Sequence, residues 1–151
     1  MKIRLTGVAE IDAVLKGLPK EVNNKLLTTA HTNAAKFTVE KAKLLAPEGP
    51  TGNLVDSIGT QATGFKSQKA LGETRTGPRR GRGKGQKGFA GHLVEYGTKT
   101  RKTKKGANRG KMRAKPFMAP AWEATKGKVE ASINEELGKA LVKYMRKTLK
   151  S

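Results

Sequence analysis

The sequence predicts an α+β fold: a long N-terminal helix, a small antiparallel β-sheet with long basic loops, and an amphipathic C-terminal helix. Three observations predict it. An apolar stripe at helical spacing runs through residues 20–45. Short β-prone segments separated by Gly-rich tracts fill the middle. Near the end, Val129, Ile133, Leu137, Leu141, Met145 and Leu149 repeat every four residues. The 151 residues suit one domain, 1–151, with loop insertions at about 77–88 and 99–115.

Taken in order, KIRL (2–5) is a candidate short strand before the Thr6-Gly7 break. Ile11, Val14, Leu15 and Leu18 then recur at the spacing of a short helix, stopped near Gly17-Leu18-Pro19. The stripe of Val22, Leu26, Ala30, Ala34 and Phe37, continued by Leu44 and Leu45, predicts a helix over about 20–45. Pro19 suits a first-turn position, where no N–H is needed. Ala46-Pro47 ends the helix, because the residue before a proline avoids the α region.

EGPTGNL (48–54) is a turn cluster. Residues 54–62 read as a strand and 65–76 as a second one. GPRRGRGKGQKG (77–88) cannot bury enough apolar surface to fold alone and reads as a loop. FAGHLVEYGT (89–98) reads as a strand, with His92, Val94 and Tyr96 on one face and Leu93 and Glu95 on the other. A second basic loop, 99–115, leads to KPFMAPAW. There Pro120 takes the first turn of the last helix, and Phe117, Met118 and Trp122 are anchors for packing it on the sheet. Gly127 and Gly138 each cost that helix about 1 kcal/mol against alanine, so its stability rests on packing its stripe.

Charge separates frame from loops. The chain carries a formal +20. Residues 75–115 hold 15 basic side chains against Glu95 alone, so +14 of the total lies in this tract. Charge of that size speaks to partners and solubility, and nucleic acid, an acidic protein surface or an anionic membrane would all be attracted. The candidate contacts are Arg79, Arg80, Arg82, Lys84 and Lys87 in the first loop. In the second they are Arg101, Lys102, Lys104, Lys105, Arg109, Lys111, Arg113 and Lys115. Neither loop contains an aromatic residue, so base stacking is not supported. Glu95 is expected to pair with one of the surrounding bases.

Catalytic and cofactor chemistry find little support. With no cysteine, disulfides and thiolate metal sites are excluded. His31 and His92 lie far apart, neither with a ligand neighbour at metal spacing, and both read as structural or solvent-facing. Glu135-Glu136 reads as a solvated helix face. Gly83 to Gly88 formally matches GxGxxG, but no hydrophobic strand precedes it and no acid follows at the required distance, so it is no dinucleotide fingerprint. No apolar run approaches a membrane span, and MKIRLTGVAEID has no signal-peptide core, so the chain is expected to be made in the cytoplasm with no membrane partner.

Three stretches, in this order, carry a family resemblance: Leu45-Ala46-Pro47 with Thr51-Gly52-Asn53-Leu54 and Ser57-Ile58; then Phe89 to Thr98, FAGHLVEYGT; then Lys115 to Ala121, KPFMAPA. The set resembles the small tail-component family of long-tailed bacteriophages, the tail-completion and head–tail joining proteins. The resemblance covers the chain from about Leu18-Pro19 to the last helix. It implies a non-enzymatic virion protein of the neck or tail, without a cofactor. Such a protein forms a homo-oligomeric ring, six-fold to match the usual symmetry of such tails. Its neighbours would be connector, tail-terminator or tail-tube proteins, with genome double-stranded DNA in the channel. It also implies an architectural role for Pro47, Thr51, Gly52, Leu54, Glu95, Gly97, Thr98, Pro116, Phe117 and Pro120. The chain departs from the family in Lys99–Lys115, where a short link is usual, and in the long Gly/Arg tract before Phe89. The role of those loops is therefore not implied by the resemblance.

The alternative is a ribosomal-type or other basic nucleic-acid-binding protein, whose loops thread between nucleic-acid helices. It requires tight, salt-steep binding by the isolated chain.

Overall fold

The computed structural model describes residues 17–62 and 72–148. The expected strand at 2–5, nearly all of the short helix before Pro19, and much of the expected second strand lie outside them. The elements are α1 (Lys20–Leu45), α2 (Asn53–Ser57), β1 (Ile58–Ala62), β2 (Thr74–Pro78), α3 (Gly91–Tyr96) and α4 (Met118–Thr148). β1 and β2 form a two-stranded sheet, so the α+β expectation stands, with its long first helix, small sheet and long last helix.

The described residues form two compact units. One comprises residues 17–37, 61–62, 72–75 and 126–148, the other 38–60 and 76–125. In the first, Ala30, Ala34 and Ala35 of α1 are buried, as are Val129, Ile133, Leu137 and Leu141 of α4. The four-residue stripe thus marks the buried face of α4. Asn24 and His31 of α1 hold the turn before β2. The Asn24 Oδ1 accepts the Gly72 N–H at 2.8 Å, and His31 Nδ1 lies 2.6 Å from the Gly72 carbonyl. A carbonyl only accepts, so His31 carries its proton on Nδ1.

In the second unit the core is Ala42 and Ala46 of α1, Ile58 of β1, and Phe117 and Ala121 at the start of α4. Val39, Leu54, Val55, Val94 and Met118 pack around it. Complete burial of Phe117 contributes about 2–3 kcal/mol by apolar transfer. Phe117 and Met118 are anchors as expected; Trp122 is half-buried and lies outside this cluster. Below it, Thr125 Oγ1 donates to the Ala121 carbonyl at 2.7 Å and meets Thr38 Oγ1 of α1 at 2.9 Å. Thr125 has one hydroxyl proton, and the carbonyl takes it. Thr38 is then the donor of the buried pair.

Two middle elements differ from expectation. The first half of the 54–62 strand is the helical turn α2, introduced by Gly52 at φ 61°, and only Ile58–Ala62 is extended. The 89–98 segment is not a strand: Gly91–Tyr96 is the helix α3. Six residues cannot separate a period of 2 from one of 3.6, because His92 and Tyr96 share a face under both. A Cβ on Gly91 would lie 2.5 Å from Pro78 Cγ, so the start of α3 packs where no larger side chain fits. Leu93, which a strand would place on the face of Gly91 and Glu95, is only half-buried while those two are buried.

Candidate functional site

Glu95 is the centre of the second unit. It is buried, 8% exposed, and its carboxylate faces the first turn of α4. Oε2 accepts the N–H of Phe117 at 2.8 Å and of Met118 at 3.0 Å, and Oε1 accepts the N–H of Ala119 at 3.1 Å. The next residue, Pro120, has no N–H. Ala121 N–H already reaches the Phe117 carbonyl at 3.2 Å. Every donor that a helix start normally leaves orphaned is therefore satisfied or absent. A negative group at a helix N-terminus also complements the helix dipole.

This corrects the expectation that Glu95 pairs with a base: its partners are main-chain N–H groups 22 to 24 residues away. α4 starts at Met118, so Pro120 lies in its first turn as expected.

The remaining motif residues close around this cap. Gly97 leaves α3 at φ 74°, and a Cβ there would lie 2.8 Å from both Met112 O and Ala114 N. Thr98 bonds Met112 twice, N–H to carbonyl and Oγ1 from N–H, each at 2.9 Å. Lys115 N–H returns to the Val94 carbonyl at 2.8 Å. Pro116 is exposed. A cleft of about 480 Å³ is lined by Pro47, Thr51 and Leu54 from the first motif, Phe89, Ala90 and Val94 from the second, and Lys115 from the third. The three stretches, separated by tens of residues in the chain, meet on one surface.

No family model, curated protein or solved structure matches the chain.

The basic loops are shaped excursions. From β2 the chain continues into a hairpin with an Arg80–Lys87 bridge, Gly81 N–H to Gln86 carbonyl at 2.8 Å, and Gly88 N–H to Arg79 carbonyl at 2.9 Å. The GxGxxG stretch is the turn of this hairpin. Of its cations, Arg79 is half-buried and donates to the Ser57 carbonyl at 3.2 Å, and Arg80 lies 2.9 Å from His92 Nδ1. These two are engaged internally, whereas Arg82, Lys84 and Lys87 are exposed.

Residues 98–115 form a longer arm. Arg101 N–H donates to Gly110 carbonyl at 2.9 Å, Arg109 N–H to Arg101 carbonyl at 2.7 Å, and Thr103 N–H to Ala107 carbonyl at 2.9 Å. Gly106, at φ 83°, gives the left-handed residue that a three-residue hairpin loop, Lys104-Lys105-Gly106, requires. All nine basic side chains from Lys99 to Lys115 are exposed. Among the described residues none of them forms an ion pair, and Glu95, the lone acid of the tract in sequence, is spent on the helix cap.

Sequence reasoning missed the roles of Met112, which joins the cleft and closes the arm, and of Arg79. No local pattern signals either, because both depend on pairing across the chain. The helix face at Glu135 is as expected: Glu135 and Lys139 pair in the open. Each holds the other in its charged form, so the Glu135 carboxyl lies below its ordinary range and the Lys139 ammonium above its own.

Proposed function

We propose that the chain is a non-enzymatic virion subunit of a phage neck or tail, which forms a ring that completes the tail and helps join it to the head. What carries this reading is the ordered motif set, together with the Glu95 cap that ties its second stretch to its third. A resemblance spread over three short stretches is stronger when the stretches form one physical unit. Here Glu95 of EYGT closes the helix that KPFMAP begins, and Pro47, Leu54 and Val94 share a cleft.

Surface features also suit a subunit built to be covered. Tyr96 is 82% exposed and Phe89 58%, beside the half-exposed Met112. Among the described residues the sheet has two strands, each with an edge that a neighbouring copy can extend. The predicted assembly is a closed ring, six-fold in the particle, contacting connector, terminator or tube proteins above and below.

The test is a nonsense mutation in the encoding gene. On a non-suppressing host, DNA-filled heads and separate tails accumulate, and supplying the chain in trans joins them. Normal, joined particles without the chain would end the proposal.

A further inference from the structure

We infer that the arm 98–115 is a β-ribbon that binds double-stranded DNA through its phosphate backbone, independently of base sequence. The arm carries nine basic residues and no acidic one. Its cations have no ion-pair partners among the described residues, and both strands of the ribbon expose them. The main-chain bonds from Thr98–Met112 out to Thr103–Ala107 hold the ribbon in shape before any ligand arrives, so binding spends little on ordering it.

A two-stranded ribbon fits the major groove of B-form DNA, with cations on its sides facing the two flanking phosphate rows. The A-form groove of duplex RNA is too deep and narrow for it. The absence of aromatic residues from 99–115 removes the stacking platforms that single strands require. The first hairpin is a poorer candidate, because Arg79 and Arg80 are already bonded within the unit. The inference rests on the neck reading only for the source of the duplex, the packaged genome. Binding is measured on the purified chain, so the two can fail separately.

The experiment is fluorescence anisotropy with a random-sequence DNA duplex of about 20 base pairs over a salt series, using the full chain. One variant replaces Arg101, Lys102, Lys104 and Lys105 with Gln. A charge-matched control replaces the exposed Lys25, Lys36, Lys43 and Lys128 instead. Circular dichroism verifies that both are folded. The arm variant is expected to lose at least about tenfold in affinity near 0.1 M salt. Its log–log salt slope is expected to fall by about 3 to 4, because four phosphates are no longer neutralised.

The control keeps its slope to within about one unit. Gly106→Val tests the ribbon itself, since it strains the φ 83° turn without changing charge. It is expected to weaken duplex binding severalfold. The duplex should also bind more tightly than a single strand of equal length or polyglutamate. Equal losses in the arm variant and the control, an inert Gly106→Val, or equal or tighter binding of the single strand or polyglutamate would each overturn the assignment.

Discussion

Glu95 Oε2 accepts the Phe117 N–H at 2.8 Å, joining α3 to the residue that opens a 31-residue helix. The same carboxylate takes the next two N–H groups, so one buried side chain starts α4 and seats Phe117 in the core. Glu95→Ala is expected to cost about 2–4 kcal/mol, since hydrogen bonds to a charged acceptor are lost and buried donors are left unpaired. Glu95→Gln keeps one acceptor oxygen but turns an NH₂ toward the helix, and its stability is expected to fall between that of Glu95→Ala and the unaltered chain. Urea denaturation of the full chain measures both.

The Thr38–Thr125 pair predicts a non-additive cycle. Thr125→Val leaves the buried Thr38 hydroxyl without its acceptor and is expected to cost about 1–3 kcal/mol. The double variant Thr38→Val/Thr125→Val removes both hydroxyls at nearly constant shape. It is expected to cost less than the sum of the single changes, and a double-mutant cycle in urea measures the difference.

The glycines separate into two groups. Gly72 and Gly97 have φ of 72° and 74°, and a Cβ at either would meet atoms at 2.3 and 2.8 Å. Alanine at either is expected to destabilise by about 1–3 kcal/mol or more. Gly127 and Gly138 lie within α4 with open space where a Cβ would go. Alanine there is expected to stabilise by about 0.5–1 kcal/mol each, seen as a raised thermal midpoint.

Much of the fold was legible because long helices announce themselves by repetition. The stripe from Val22 to Leu45 located α1 at Lys20–Leu45, although its members Phe37, Leu44 and Leu45 are exposed and Ala35 and Ala42 are buried instead. Val129, Ile133, Leu137 and Leu141 proved to be the buried face of α4. The middle was less legible. α2 and α3 are a turn or two long, too short for periodicity to choose, and their surroundings, the left-handed Gly52 before α2 and the close approach of Gly91 to Pro78, are contacts that no local pattern records.

The site was half legible. Glu95 stood out as the lone acid in a basic tract, but its partners are N–H groups, which no side-chain pattern records. The arm read only as a basic loop because its cohesion comes from main-chain pairing around Gly106. Composition tells only of its charge.

The most direct test of the central claim is the position of the chain in the virion. Gold-labelled antibody against it, viewed by electron microscopy on intact phage particles, is expected to mark the head–tail junction or the tail end. Label on the capsid shell or along the whole tail, or particles that contain none of the chain, would contradict the account.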